Sequence, residues 1–182
     1  MAKTLLVTNL KKIKKAVPKI EAKVKIRFSF GASMVIIRGT ELNEFLVEKI
    51  VQAVDFGFEV EDALLLLGQN HSLEFINVKE HTRRKNLHDV RSRLIGTDGK
   101  VLNTLENLTG AILVVKDNTV GVIAESKSLN KINQAIELII RGAKHGNAYA
   151  FLERSNRTGR RNSFSEEDLG LRDSIKDKSV LP

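Results

Sequence analysis

The stretch Arg91-Ser-Arg-Leu-Ile-Gly-Thr-Asp-Gly-Lys100 decides how the rest of the chain is read: an apolar helical turn runs into Gly-x-x-Gly, and a second helix starts directly behind it. Gly96 and Gly99 can take backbone angles closed to other residues and let another backbone come close. A helix opening at Lys100 offers unpaired N–H groups at its positive dipole end. Such a loop suits the phosphates of a nucleic-acid backbone. On its own the tetrapeptide reads equally well as a turn between two helices, so its surroundings have to decide.

Those surroundings are regular. A strand, Leu73-Glu-Phe-Ile-Asn-Val78, and a polar, basic segment from Lys79 to Asn86 precede the helix that carries the loop. Behind the loop, Leu102, Leu105 and Leu108 line a helix that Thr109-Gly110 ends. Ala111-Ile-Leu-Val-Val115 then turns at Asp117-Asn118 into Thr119-Val-Gly-Val-Ile-Ala124 as a hairpin. Ser128 is placed to cap a final helix whose apolar stripe is Leu129, Ile132, Ile136, Ile139, Ile140 and Ala143.

The N-terminal half repeats much of this order. Thr4 to Thr8 reads as a strand, followed by a lysine-rich helical stretch with Leu10, Ile13 and Val17 on one face, which Pro18 is expected to break. After a second short helical piece, Lys23-Val-Lys-Ile-Arg-Phe-Ser-Phe30 alternates with period two, and Met34-Val-Ile-Ile-Arg38 follows a turn at Gly31 to Ser33. From Thr40, an N-cap residue, Leu42, Phe45, Leu46, Ile50, Ala53 and Val54 recur at helical spacing until Gly57. A short apolar helix, Val60 to Leu67, closes at Gly68. The class is therefore α+β, one unit used twice.

Composition narrows the function. With 182 residues and 42% hydrophobic content the chain can build a real core, and no apolar run approaches the roughly 20 residues of a membrane-spanning helix. The N-terminus lacks a signal-peptide core, so a cytoplasmic location and no membrane partner are expected. The net charge of +8 favours a polyanionic partner. Lysines crowd the first segment at Lys11, Lys12, Lys14 and Lys15, and arginines gather at Arg83, Arg84, Arg91 and Arg93. One Tyr and no Trp give little support to stacking many bases on exposed aromatics. Catalysis has no constellation to rest on. Cysteine is absent, His71, His81, His88 and His145 occur singly, and Glu59, Glu61 and Asp62 suit the acidic start of a helix, so neither enzyme activity, cofactor nor metal is expected.

Strand, helix, Gly-x-x-Gly, helix, hairpin, helix is the order of a type I KH domain (βααββα). Gly57-Phe-Glu-Val-Glu-Asp-Ala-Leu-Leu-Leu-Leu67, Arg93 to Lys100, Leu105-Glu-Asn-Leu-Thr-Gly110 and Gly142-Ala-Lys-His-Gly-Asn-Ala-Tyr-Ala-Phe-Leu-Glu153 together resemble the tandem-KH factors of small ribosomal subunit assembly. That family includes the KRR-type proteins and the partner of the Nob-type endonuclease that matures the small-subunit rRNA 3′ end. The resemblance implies a degenerate KH-like unit over 4–68 with no Gly-x-x-Gly and a KH unit with its loop over 72–153, while the polar, charged composition beyond, with no periodic apolar face, reads as a flexible, disordered tail over 154–182. The turn that would correspond to the missing first loop falls near Lys15-Ala-Val-Pro-Lys19.

By the same resemblance the second unit should bind single-stranded rRNA of the small-subunit 3′ region, its loop clamping about four nucleotides. Contacts are expected from Arg91, Arg93, Leu94, Ile95, Gly96, Thr97, Asp98, Gly99, Lys100, Asn103 and the strand Ala111, Ile112, Leu113, Val114, with strand backbone groups reading base edges and Arg91, Arg93 and Lys100 meeting phosphates. Lys11, Lys12, Lys14, Lys15, Arg83 and Arg84 would add secondary basic contacts. An rRNA-maturing endonuclease or other assembly factors are the implied protein partners. The competing reading is a protein-docking platform in ribosome biogenesis with weak or no RNA contact. It draws on the missing first loop and on Asp98, a carboxylate that weakens phosphate binding by roughly 1 kcal/mol per pair in water.

Overall fold

Two three-stranded antiparallel sheets with the same strand order frame the protein, and the computed structural model describes residues 2–68 and 70–157. In the first unit, β1 (Ala2–Leu6), α1 (Leu10–Glu21), β2 (Arg27–Phe30), β3 (Met34–Arg38) and α2 (Glu41–Phe56) build a sheet of order β1-β3-β2. Alternation along β3 buries Val35 and Ile37 against the helices and turns Met34, Ile36 and Arg38 outward. Thr40 caps α2 by accepting the Asn43 N–H, and Gly57 ends it at φ 145°, a backbone angle that side chains disfavour. A short α3 (Val60–Ala63) continues into a single 3-10 turn, Leu64–Leu67.

Two expectations for this half need correction. The first strand lies at Ala2–Leu6, two residues before the predicted Thr4 to Thr8. Pro18 does not break the helix: α1 runs unbroken through it, so the site of the expected degenerate turn, Lys15 to Lys19, holds no turn at all. The reason is burial on both sides of the proline. Ile13, Ala16 and Ile20 are all fully buried on one face, while Pro18 is exposed, where water can serve the Lys14 carbonyl that the missing N–H leaves unpaired.

The second unit comprises β4 (His71–Asn77), a one-turn α4 (Val78–His81), α5 (Leu87–Ile95), α6 (Lys100–Thr109), β5 (Ile112–Lys116), β6 (Thr119–Glu125) and α7 (Ser126–Arg141), with sheet order β4-β6-β5. Helix α7 starts two residues before the expected cap. Ser126 bonds the Ser72 hydroxyl at 2.7 Å and sits against the Asn70 carbonyl, whereas Ser128 is buried inside the first turn. A further helix, α8 over 145–157, buries Ala148 and Leu152 in the core of this unit. It includes 154–157, which the sequence assigned to a flexible tail; the rest of that tail, 158–182, lies outside the described residues.

The second sheet is covered on both faces. Val120, Val122, Ala124 and Leu113 face α5, α6 and α7, while Ile123, Leu73, Ile112 and Val114 pack against Phe56, Phe58 and Val60 of the first unit. Gly121 lies beneath the rings of Phe58 and Phe56, where an added Cβ would come within 2.7 and 2.8 Å of ring carbons. The Lys116 ammonium also reaches the Asp55 carbonyl at 3.3 Å. Apolar burial therefore joins the units into one body, since Ile123 of the second is fully buried in the core of the first.

Candidate nucleic-acid interface

Helix α5 stops because Gly96, at φ 75°, turns the chain out of helical geometry while its N–H still closes onto the Ser92 carbonyl at 2.8 Å. Thr97–Gly99 form one 3-10 turn in which Asp98 (φ 52°) and Gly99 (φ 74°) are both left-handed, and α6 begins at Lys100. The two glycines do different work. A Cβ on Gly96 would lie 2.5 Å from the Val101 side chain and 2.9 Å from its backbone nitrogen, so the loop's own packing requires glycine there. At Gly99 a Cβ would meet nothing within 4 Å apart from its own chain neighbours, which leaves that backbone open to an approaching ligand. Thr97, Asp98 and Lys100 are exposed around it. The loop edges an open concavity of about 510 Å³ that Ser92, Arg93, Lys100 and His145 also line.

The other predicted contacts are redistributed by the fold. Arg93 donates through Nη2 to the Ala143 carbonyl, and the His145 ring nitrogen Nε2 lies 3.1 Å from the Arg93 carbonyl, so this arginine clasps α5 to the turn before α8. Arg91 donates to the Asp117 carbonyl at 3.3 Å and ties α5 to the β5–β6 turn. Lys100 is the remaining exposed cation of the three. Leu94, Ala111 and Leu113 are core residues, and Ile112 and Val114 face the first unit, so none of these side chains is available at the loop. Ile95 and Leu102 are half-buried, and Asn103 is exposed one turn into α6. Sequence reasoning missed Glu106, whose carboxylate accepts the Leu113 N–H at 2.8 Å and occupies a strand group expected to read bases.

The secondary basic residues also divide. Lys12 is committed to structure, reaching the Gly57 carbonyl at 3.0 Å and Glu59 at 3.1 Å, and Lys19 pairs with Glu61, a contact that holds the Glu61 carboxyl below its ordinary range. Lys14 lies over the Phe30 ring, and Lys11 and Lys15 point into solvent. Arg83 and Arg84 are exposed and line a second concavity of about 500 Å³ with His81, Thr82 and Arg141. Among the described residues no group of three or more His, Asp or Glu could hold a metal ion, and no helix is long and apolar enough to cross a membrane.

Sheet order, hairpin register and a glycine loop between two helices together define a KH protein of type I. Residues 72–157 match the family described as the eukaryotic-type KH domain (KH-domain type I), and a KH domain-containing protein of Methanocaldococcus jannaschii is 33% identical over 158 residues, 84% of this chain and 69% of that protein. The chain belongs to the tandem-KH family of the pno1 and Dim2p proteins. The pre-rRNA-processing protein pno1 of Emericella nidulans is 27% identical over 111 residues, 59% of this chain but only 43% of its own length. The crystal structure of the a/eIF2alpha-aDim2p-rRNA complex from Pyrococcus horikoshii OT3 matches with a TM-score of 0.77 at 26% identity, over 87% of this chain and 95% of that one.

Proposed function

We propose that this chain is a non-catalytic, cytoplasmic RNA-binding factor that holds single-stranded small-subunit (pre-)rRNA during ribosome assembly and maturation of the rRNA 3′ end. The observation that carries this reading is the open backbone at Gly99, flanked by exposed Thr97 and Lys100 at the start of α6, where no residue beyond the glycine's own chain neighbours stands between a phosphate and the N–H groups. Asp98 is exposed beside Gly99, and its charge costs roughly 1 kcal/mol per phosphate pair in water. The pno1 name attaches to pre-rRNA processing, and Dim2p has been crystallised with rRNA, which supports rRNA as the polyanion. An rRNA-maturing endonuclease or another assembly factor would then meet the RNA-bound protein from a surface away from the loop.

The test is single-stranded RNA affinity at fixed salt for Thr97→Asp and Gly99→Asp, with thermal unfolding of each variant. Thr97→Asp should weaken binding about fivefold, the equivalent of roughly 1 kcal/mol, with unchanged stability, and Gly99→Asp should weaken it further. If both stay folded and bind like the parent, the loop is only a turn and a protein-docking role replaces this one.

A further inference from the structure

We propose that the first unit, although it has no glycine loop, carries a separate base-stacking site for single-stranded RNA at Phe30, with Lys14 as its phosphate or edge contact. The inference extends the RNA-binding reading to a second place on the same strand, and it stands on the hairpin geometry of the two units. Phe30 pairs with Val35 and Phe28 with Ile37. In the second unit the same register positions are Val115, opposite Val120, and Leu113, opposite Val122. There, α6 runs along the edge of β5 and Glu106 takes the Leu113 N–H. The first unit has a single helix, α1, before its hairpin, so among the described residues no helix corresponding to α6 lies along the edge of β2. The two edge residues that α6 shields in one unit are replaced in the other by aromatic rings, one of them open to solvent.

The local chemistry suits a nucleobase. Phe28 and Phe30 lie nearly parallel, at 11° with centroids 6.4 Å apart, so Phe30 is held from behind while 38% of its surface stays exposed. The Lys14 ammonium sits 5.3 Å from the Phe30 centroid on a flexible stem that can swing aside to a phosphate. Lys11, one turn before Lys14 on the same helix, is exposed, and so is Lys15. The acidic residue of α1, Glu21, falls about two turns beyond Lys14, at the helix end. A ring with lysines beside it, on a helix whose one acidic residue is two turns away, fits a stacked base with its phosphates better than an acidic or apolar peptide anchor. β2 is an edge strand, so one side of its backbone is also free to meet the base edge.

The chain contains no Trp, which makes Phe30→Trp a unique fluorescent reporter that keeps the stacking surface. The experiment compares the parent, Phe30→Ala, Phe30→Trp and Lys14→Gln with single-stranded oligo(U) and oligo(A) of about five nucleotides, enough for the loop alone, and of about twenty. Phe30→Ala should weaken binding of the long strands at least about fivefold while leaving the short ones unchanged. Long strands should quench the emission of Phe30→Trp, and Lys14→Gln should lower the salt slope by about 0.7 without loss of thermal stability. The proposal is overturned if long strands leave the Phe30→Trp emission unchanged, or if Phe30→Ala remains folded and binds them as the parent does. Failure of the loop reading shows separately, as short strands that do not respond to Thr97→Asp while the long strands still quench Phe30→Trp.

Discussion

The two units share strand order and hairpin register, yet they differ at two corresponding places. Before the hairpin, the second unit has helix, loop and helix where the first has α1 alone. On the outer face of the sheet, Gly121 in the second unit lies under Phe56 and Phe58, whereas Ile36, at the same register position in the first, is only half-buried. The difference teaches how one topology is divided between tasks. The second sheet is sealed on both faces and can hold a loop rigidly at its helix side, and the first contributes the helical cover that seals it.

The sharpest way to break this comparison is at Gly121. Gly121→Val should destabilise by about 3 kcal/mol, because a side chain there drives into two aromatic rings and into the seam between units. Ile36→Ala, at the matching position, should cost about 1 kcal/mol or less, and urea unfolding of both variants measures the contrast. Similar losses at the two positions would mean that the first sheet is covered as well.

Next in size come the loop glycines. Gly96→Ala adds a clash with Val101 to an unfavourable φ and should cost about 3 kcal/mol, against about 1 to 2 kcal/mol of backbone strain alone for Gly99→Ala. Thermal unfolding orders them. Arg93 and Lys100 separate clasp from contact: Arg93→Ala should lose about 1 to 2 kcal/mol of stability and leave the salt slope of RNA binding alone. Lys100→Ala should do the opposite, lowering that slope by about 0.7 with stability within about 0.5 kcal/mol.

The smallest effects belong to α1. Lys12→Gln should change stability by about 0.5 kcal/mol and leave the salt slope unaltered, since Lys12 is turned to Gly57 and Glu59. The Lys19–Glu61 pair should contribute at neutral pH and drop out in acid. The Glu61 carboxyl is lowered by the hydrogen bond from Lys19, so its contribution is full above the unfolded carboxylate range and is lost as pH falls through the folded value. Replacing Glu61 with Gln should flatten that part of the acid unfolding curve.

Much of this architecture was legible because local chemistry agreed with it. Thr40 and Gly57 bracket α2 as cap residues do, period-two alternation located the first hairpin, and the turn at Asp117-Asn118 located the second. Pro18 misled because a proline inside a helix is judged from its missing amide, while Ile13 and Ile20, buried on either side of it, decide the outcome. Helix α8 went unseen because Gly142 and Gly146 mask its start; the spacing of Ala148, Phe151, Leu152 and Ser155 was the available signal. At the loop, Gly96 and Gly99 were readable as a pair but not as two roles, which depend on where Val101 sits. The uninterrupted run Ala111-Ile-Leu-Val-Val115 signals a strand buried on both faces and not one wall of a groove. Arg93 could not be placed from sequence, because its partner lies 50 residues further along the chain.

The aromatic seam also sets an order of events during synthesis. Phe58 and Val60 are translated well before Ile112 to Ile123, the strands that cover them. A nascent chain therefore emerges with the apolar underside of α2 and α3 facing water until the second hairpin arrives, and domains form N-terminal first as they are made. That interval is when the protein is most exposed to aggregation, and slowing translation between residues 68 and 112 should lower soluble yield more than an equal delay before Thr40.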